Sequence, residues 1–511
     1  MKRDHIIFLS FAVLILIIYG QSLWGGFVFD DRGILDYHSI LSSLGSLKTA
    51  LLQPYWEVDA GLYRPITLFS YALNNIFLGG SAFSFHFVNL ALYFGICSAI
   101  FVLIKKLFSN EKLALFSALI FLVLPIHTEV VANITGRSEL LALLFSLLTL
   151  IEFTKERSNF WLAGLYTLLA IGAKETAVAV LPLVLLVILI KERGFGREVV
   201  EKYFRPFSAV VTGACFYFFA RFFALGPDHF FGIQTSLIEN PLLFASTHER
   251  VATALSILWM YVRKTFIPLG LCSDYSYNQI PLVGFSNLGT IIALVILISG
   301  TVSIFYFFKK KPIISLASAI FILSFLPISN LFFPIGTIAG ERLFFFPSLG
   351  FALLLAFLLS KLKRKGFIII FLGLYTVLAL QRQSFWLTEE KLFLNAVQCA
   401  PNSVLSRSNA GAAYLFRGEL EKAREQLEIS REIKPIYSKG LNNLGLVYWK
   451  LGRNRDAERL YHEALTQKYP YSGAIENLIL LYSSEKDQNK TTHWFRIMYP
   501  NVDDSALRNQ F

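Results

Sequence analysis

The stretch IIFLSFAVLILIIYGQS, residues 6–22, is followed closely by the segment FVFDDRG, residues 27–33. The first is apolar enough to form a membrane-spanning helix, since about 20 apolar residues cross a hydrocarbon core of roughly 30 Å. The second places two adjacent carboxylates, Asp30 and Asp31, just beyond that helix. Two like charges at the end of a span cost desolvation and repulsion. Two interpretations are open: a catalytic carboxylate at the membrane surface, or a solvated pair that caps a short helix.

The composition identifies a membrane protein. Of the 511 residues, 55% are hydrophobic and 16% are charged, with 49 phenylalanines and a mean hydropathy of +0.55. Such values are rare in soluble proteins. The net charge of +12 lies mainly in short loops, where membrane topology explains it better than nucleic-acid binding. We therefore predict an all-α polytopic protein with membrane lipids and no nucleic acid among its partners.

About eleven transmembrane helices are predicted within residues 1–385, at roughly 20 residues each. Basic loop clusters mark the cytoplasmic side, so the N-terminus is expected in the cytoplasm and the C-terminus outside it. The segment 251–269 contains Arg263, Lys264 and Pro268, and it is predicted to be interfacial or re-entrant rather than spanning. The predicted spans are 6–22, 86–107, 113–132, 138–154, 159–174, 175–191, 206–225, 287–308, 312–331, 343–361 and 366–385.

This topology assembles charged residues on the outer face. Charges at a membrane edge need partners, so their convergence predicts a functional site rather than a set of separate anchors. No group of histidine, cysteine and carboxylate residues has metal-ligand spacing, so no metal and no obligatory cofactor is predicted. We expect His127 to hydrogen-bond locally. The outer-face residues are Asp30, Asp31, Arg64, Glu129, Arg137, Glu139, Lys174, Glu175, Asp274, Glu341 and Arg342.

The last part of the chain, residues 386–511, is charged and helical, with an internal period of 34 residues. Gly411 and Gly418 recur as Gly445 and Gly452, with a tyrosine and an alanine at matching positions in each unit. This pattern is typical of tetratricopeptide repeats, in which small residues let paired helices pack closely. Such arrays often present a surface for peptides, although a purely structural role is equally open.

Seven short motifs, in order along nearly the whole chain, resemble the transmembrane-and-tetratricopeptide-repeat O-mannosyltransferases, a family of the GT-C superfamily of glycosyltransferases. The repeat array is much shorter than in animal members of the family. The motifs are FVFDDR (27–32), YRPIT (63–67), PIHTEVVA (125–132), GRSELL (136–141), AKET (173–176), DYSY (274–277) and GERLF (340–344).

The resemblance implies a GT-C-like transferase domain at 1–385 and an extracytoplasmic repeat domain at 386–511. Its donor would be a hexose, such as mannose, on a polyprenyl phosphate, and its acceptor a hydroxyl of an exported protein held by the repeats. Asp30 or Asp31 would be the base. Donor-phosphate binding is expected from Arg342 first, oriented by Glu341, and then from Arg64, Arg137 and Lys174. Supporting or sugar-binding roles are expected for Glu129, Glu139, Glu175, Asp274 and Glu341.

Two other functions remain open from the sequence. The same chemistry could act on a glycolipid or surface polysaccharide, because no motif defines the acceptor groove. Alternatively, the chain could be a non-catalytic membrane scaffold that recruits partners through its repeats, although this leaves the outer-face charges unexplained. The compact chain with few repeats favours a bacterial inner membrane over the endoplasmic reticulum.

Overall fold

The computed structural model describes residues 2–37, 46–56, 61–230, 235–362, 366–467 and 471–499. The described residues form helices, turns and loops, with no β-strand among them. The chain divides into two compact units, one of residues 1–273 and 282–389 and the other of 274–281 and 390–511. The chain passes into the main part of the second unit after Glu389, close to the predicted start of the repeats. The short segment 274–281 also belongs to the second unit.

The first unit is a bundle of apolar helices. Its helices are α1 (Lys2–Tyr19), α2 (Asp30–Tyr37), α3 (Ser46–Leu52), α4 (Pro65–Leu78), α5 (Ala82–Phe108), α6 (Glu111–Val123), α7 (Thr128–Ala132), α8 (Arg137–Glu152), α9 (Phe160–Ala173), α10 (Val180–Glu192), α11 (Arg197–Phe230), α12 (Thr247–Phe266), α13 (Leu288–Tyr306), α14 (Pro312–Phe325), α15 (Phe345–Ser360) and α16 (Gly366–Gln383).

Seven stretches of the described chain are long and apolar enough to cross a membrane. An eighth arises if α6 and the residues that follow it, which meet at a bend of 57°, form one broken span. The bend falls before Pro125, whose ring and missing N–H end a helix. The chain is thus an all-helical integral membrane protein, as predicted. The seven are Arg3–Trp24, Ala82–Phe108, Ile134–Glu152, Arg197–Phe230, Leu288–Tyr306, Glu341–Ser360 and Gly366–Trp386.

The total of eleven spans stays a prediction. Two further apolar helices, Phe160–Ala173 and Pro312–Ile328, are shorter than a full crossing, and α10 is shorter still. Helix α12 covers most of the segment predicted to be interfacial and is not among the seven candidate spans in the described chain. Its position at the membrane surface also stays a prediction.

Close helix contacts in the first unit depend on small residues. A Cβ added to Gly213 of α11 would lie 2.5 Å from the carbonyl oxygen of Gly164 in α9. One added to Gly350 of α15 would lie 2.4 Å from the carbonyl oxygen of Ala317 in α14. Glycine at these positions lets the backbones approach directly, which is how helices associate where lipid provides no hydrophobic driving force.

The second unit consists of short helices that pack as consecutive pairs. The three turns inside the pairs have left-handed residues 34 positions apart: Gly418 (φ 77°), Gly452 (φ 75°) and Lys486 (φ 60°). The third unit therefore keeps the turn geometry although a lysine replaces glycine, a residue type for which positive φ is uncommon. The helices are α17 (Glu389–Cys399), α18 (Val404–Phe416), α19 (Leu420–Ile433), α20 (Ser438–Lys450), α21 (Asn454–Leu465), α22 (Gly473–Ser484) and α23 (Gln488–Met498).

Candidate active site

The predicted site residues of the first unit lie around one end of its helices. Arg137 is the first residue of α8, Lys174 follows the last residue of α9, and Arg342 precedes α15. The acidic pair begins the short helix α2. Charged side chains are therefore brought together from segments far apart in sequence.

The structure gives the two aspartates different environments. The preceding residue, Phe29, has a φ of +56°, a left-handed conformation that is strained for a bulky side chain. Asp31 is completely buried, and its carboxylate accepts backbone N–H groups from Val28 at 3.1 Å and Thr135 at 3.0 Å. Asp30 is 31% exposed and lies 3.7 Å from the Nη1 atom of Arg342. Asp31 is thus held by the backbone, whereas Asp30 faces a cation and solvent.

Burial makes both aspartates stronger bases than usual. It raises the pKa of Asp31 to about 7, against the opposing N–H bonds from Val28 and Thr135 and with a smaller contribution from the charge of Asp30. Burial also raises the pKa of Asp30, and the charge of Arg342 opposes the rise. Burial is thus the main cause of both rises in pKa, and the charge of Asp30 adds only a smaller part at Asp31.

Arg342 is oriented by Glu129. Its Nη1 donates to Oε1 of Glu129 at 2.9 Å, and its backbone N–H donates to Oε2 at 3.0 Å. Glu129 is 1% exposed, so its buried carboxylate holds both the backbone and the guanidinium of Arg342 in place. Within the described chain, the hydrogen bonds of the guanidinium run through Nη1, and Nη2 and Nε face no protein acceptor.

Glu341 does not orient Arg342, which corrects the prediction from the sequence. Its carboxylate accepts the backbone N–H of Cys272 at 2.5 Å and lies 3.6 Å from Nη2 of Arg382. Adjacent residues in the tight turn before α15 point their side chains in different directions. The neighbour that holds Arg342 is instead Glu129, 213 positions away.

Arg64 and Glu175 form a two-bond ion pair. Nε of Arg64 donates to Oε2 at 3.1 Å and Nη2 donates to Oε1 at 2.9 Å. Burial raises the pKa of Glu175, but the charge and hydrogen bonds of Arg64 outweigh it and lower the pKa to about 2. The guanidinium also lies over the ring of Tyr55, 5.0 Å from its centroid. The edge of the Arg64 guanidinium formed by Nε and Nη2 is therefore bound to Glu175.

Lys174 pairs with Glu139 in a nearly closed environment, with side chains 5% and 6% exposed. Burial lowers the pKa of Lys174, and the charge of Glu139 opposes this. Burial also lowers the pKa of Arg64, but the charge of Glu175 and a smaller contribution from Glu139 raise it above its usual value. The two pairs are thus electrostatic neighbours in one network.

Arg137 is enclosed in the protein and has no exposed surface. Its guanidinium donates to Oδ1 of Asn89 at 2.8 Å, to Oδ1 of Asn74 at 3.0 Å and to the carbonyl of Phe85 at 2.9 Å. It also lies over the ring of Tyr71 at 4.9 Å. The structure therefore places Arg137 in a packing role between α4, α5 and α8 and not in the open part of the site.

Asp274 belongs to the second unit, and its hydrogen bonds are made within that unit. Its carboxylate accepts from the hydroxyls of Ser403 and Ser406 and from the backbone N–H of Ser276 at 2.9 Å. These contacts fasten the 274–281 segment to the start of α18. The motif that includes Asp274 therefore has a structural explanation within its own unit.

Two residues that the sequence did not single out lie near the aspartates. Desolvation raises the pKa of Tyr55 to about 12; Arg64 opposes this rise, and Asp30 and Asp31 add to it. Desolvation also raises the pKa of Glu239, with Asp30 adding to the rise and Arg342 opposing it. Neither residue stands in a recognisable motif, so only the fold reveals their position beside the site.

His127 is buried and forms two hydrogen bonds, with partners 34 and 221 positions away in sequence. Its Nδ1 lies 3.0 Å from the hydroxyl of Tyr93 and its Nε2 lies 2.7 Å from the hydroxyl of Ser348. Among the described residues, no group of three or more histidine, cysteine or carboxylate side chains has a geometry that could hold a metal ion.

Fold and site together define a polytopic helical membrane protein with a partly open carboxylate–arginine site at the end of its spans. Comparison with known proteins finds no matching family model. The chain is 27% identical to human protein O-mannosyl-transferase TMTC3 over 486 residues, covering 87% of this chain and 53% of the human protein. It is 28% identical to the Caenorhabditis elegans protein O-mannosyl-transferase F38B6.6, with 85% and 63% covered. It is 27% identical to human TMTC4, with 79% and 63% covered.

These matches confirm the resemblance drawn from the motifs, and the chain is related to the transmembrane-and-tetratricopeptide-repeat O-mannosyltransferases. The chain spans about half the length of the TMTC3 protein it matches. A structural search returns ArnT from Cupriavidus metallidurans bound to undecaprenyl phosphate, at 13% identity and a TM-score of 0.47, with 91% of this chain and 81% of ArnT covered.

Proposed function

We propose that this protein is an inverting glycosyltransferase that moves a hexose, with mannose as the first candidate, from a polyprenyl phosphate to a hydroxyl of a protein. The acceptor class is supported by the relatives, which are named as protein O-mannosyl-transferases. The lipid-linked donor rests on the family resemblance. The observation that carries the proposal is that the partly exposed Asp30 lies beside Arg342. In the described chain, the guanidinium of Arg342 bonds to protein side chains only through Nη1.

Asp30 is the proposed base. It takes the proton of the acceptor hydroxyl while the hydroxyl oxygen attacks the anomeric carbon, and the bond from that carbon to the phosphate oxygen breaks. The configuration inverts, and the lipid phosphate leaves with the bonding electron pair. Burial raises the pKa of Asp30, which increases its affinity for the proton at the moment of transfer. Asp31 positions this segment through its bonds to Val28 and Thr135.

Arg342 is the proposed ligand of the departing phosphate. Of the four cations predicted for this role, Arg64 is committed to Glu175, Lys174 to Glu139, and Arg137 is enclosed. Only the guanidinium of Arg342, among these four, combines 29% exposure with two nitrogen positions that face no acceptor in the described chain. A planar guanidinium can give two charge-assisted hydrogen bonds to a phosphate.

Glu129 has a positioning role in this proposal. Its buried carboxylate fixes both the backbone and Nη1 of Arg342, so the free edge of the guanidinium is presented in one orientation. The substitution Glu129→Gln keeps the shape and one acceptor but removes the charge. We expect kcat to fall at least about tenfold, since a misplaced transition-state donor typically costs more than 1.4 kcal/mol.

The orientation of the site is proposed to be extracytoplasmic. The basic loops lie at the helix ends opposite to the site, because α8 begins with Arg137 and ends before Lys155, whereas α9 ends beside Lys174. Basic loops remain on the cytoplasmic side, so the N-terminus would be cytoplasmic and the site would face the periplasm or a secretory lumen. The repeat unit would then be available to hold an exported acceptor.

The function is tested with purified full-length protein, radiolabelled polyprenyl-phosphate mannose and, separately, polyprenyl-phosphate glucose. Acceptors are an extract of exported proteins and an extract of membrane glycolipids. We expect label from the mannose donor to enter protein. Label in the lipid fraction alone would overturn the protein acceptor, and the absence of transfer from either donor would contradict the proposed activity.

The role of Arg342 is tested in the same assay by Arg342→Gln, with Arg263→Gln as control on the exposed side of α12. Loss of the phosphate contacts should lower kcat/KM for the donor at least about tenfold. The control should retain normal transfer. Equal activity of both variants would exclude Arg342 as the phosphate ligand.

A further inference from the structure

A second charged region lies at the end of the bundle opposite to the candidate active site. Helix α8 has 16 residues and is therefore roughly 24 Å long, which separates the two ends of the bundle. The loop between α8 and α9 and the start of α11 meet there around a cavity of about 520 Å³. The proposed reaction uses no residue of this region.

The cavity is lined by more positive than negative charge. Its walls include Glu156, Arg157, Glu201, Lys202 and Arg205. Two of these charges are matched by residues outside the lining, because Lys202 pairs with Glu192 at 2.8 Å and Glu201 pairs with Arg197 at 2.8 Å.

The two arginines of the lining are the available binding groups. In the described chain, Arg157 and Arg205 form no ion pair, and Glu156 is the one lining carboxylate left to offset them, so the cavity is positive by one charge. The hydroxyl oxygen of Ser158, which also lines the cavity, is buried without a hydrogen-bond partner among the described residues. Two guanidinium groups and one free hydroxyl donor suit a phosphate-type anion.

The cavity walls are held in place by bonds behind them. The carboxylate of Glu152 is 2% exposed and accepts from Nζ of Lys155 at 2.5 Å and from the backbone N–H of Asn159 at 2.7 Å. Nζ of Lys191 donates to the carbonyl of Lys155 at 2.5 Å. The hydroxyl of Tyr203 donates to Glu192 at 2.7 Å. These contacts tie the α8–α9 loop to α10 and α11, so the arginines project from a fixed frame.

The surroundings of the cavity are those of a membrane interface. Two large aromatic side chains are exposed here: Phe204, which lines the cavity, and Trp161, which follows the lining residue Phe160. Phe204 stands between Lys202 and Arg205 in the sequence, and both of these basic residues also line the cavity. Aromatic rings beside basic side chains are typical of the headgroup layer, where the rings enter the acyl boundary and the cations meet phosphates. Binding of a soluble phosphate compound would not explain why these aromatic side chains are exposed beside the cavity; we call them the aromatic rim.

We propose that this cavity binds the phosphodiester headgroup of an anionic phospholipid, with Arg157, Arg205 and Ser158 as the phosphate ligands. The bound lipid would carry a single negative charge, which the excess charge of the cavity neutralises. Its acyl chains would leave the cavity past the exposed aromatic rim. The site is separate from the donor site and does not depend on the proposed transferase activity.

The test uses delipidated full-length protein in detergent, with lipid binding followed by native mass spectrometry. Phosphatidylglycerol and phosphatidylcholine are compared, and glycerophosphoglycerol is added as the phosphodiester headgroup without chains. The Arg157→Gln/Arg205→Gln variant is paired with Arg193→Gln/Lys309→Gln, which removes the same charge from exposed positions on the same face. Ser158→Ala provides a second, milder variant.

We expect phosphatidylglycerol to bind wild type more tightly than phosphatidylcholine does. The double arginine variant should weaken phosphatidylglycerol binding at least about tenfold, Ser158→Ala should weaken it less, and the matched control should bind as wild type does. Equal weakening in the control variant would show a diffuse charge effect and overturn the site. Glycerophosphoglycerol that displaces the lipid at equal concentration would overturn the lipid assignment in favour of a soluble phosphate compound.

Discussion

Replacing Asp31 with asparagine should change how the stability of the first unit depends on pH. In the folded protein, burial raises the pKa of Asp31 from 3.8 to about 7. Between these two values the folded state holds a proton that the unfolded state has released, so stability falls as pH rises. The fall is about 1.4 kcal/mol per pH unit and ends near pH 7, for a total of about 4 kcal/mol.

Asp31→Asn cannot lose a proton, so it should lack this fall. Any constant cost of placing an amide nitrogen near the N–H groups of Val28 and Thr135 cancels when the variant is compared with itself at two pH values. From pH 5 to pH 7.5, wild type should lose about 3 kcal/mol relative to the variant. For a unit of this size this corresponds to about 4 °C in apparent Tm.

The assay is thermal unfolding of detergent-solubilised protein at pH 5, 6, 7 and 7.5, with wild type and variant measured together. The exposed Asp228→Asn is the control, because solvent screens a carboxylate at that position. It should follow the wild-type pH dependence. The same pH dependence in wild type and in Asp31→Asn would refute the claim that a buried Asp31 carboxyl holds a proton at acid pH.

Two structural predictions concern the frame of the site. Lys174→Met should destabilise the protein by about 3 to 5 kcal/mol because it leaves the Glu139 carboxylate buried without its partner; adding Glu139→Leu should restore most of the loss in thermal unfolding, and no recovery would contradict the pairing. Gly136→Ala should reduce folded yield and Tm sharply, since its Cβ would lie 2.1 Å from the carbonyl oxygen of Val130. Gly26→Ala, with nothing within 4 Å of the added Cβ, should have little effect.

The fold class could be predicted because lipid imposes strong rules on sequence. The predicted span 86–107 corresponds to α5, and the predicted span 366–385 corresponds to α16, since an apolar run of sufficient length has few alternatives. The exact count of spans could not be fixed, because α9, α10 and α14 are too short for length and composition to decide.

The partners within the site could not be predicted from the sequence. The motifs contain these charged residues, but the pairs Arg64–Glu175 and Glu129–Arg342 join residues 111 and 213 positions apart. Neighbours in sequence suggested that Glu341 orients Arg342, whereas the turn before α15 directs Glu341 to Arg382. The burial of a side chain also cannot be read from the sequence. For this reason Arg137 was expected to bind the donor phosphate, although the structure encloses its side chain.

Asp30 is the proposed base of the transfer reaction, and Asp31 is the residue proposed to position it. This assignment is tested by transfer of radiolabelled mannose from polyprenyl-phosphate mannose by wild type, Asp30→Asn, Asp31→Asn and the exposed control Asp228→Asn, at saturating donor. We expect Asp30→Asn to lose at least about 100-fold in kcat with donor KM little changed. Asp31→Asn should lose less, and the control should equal wild type. Full activity of Asp30→Asn would contradict the assignment.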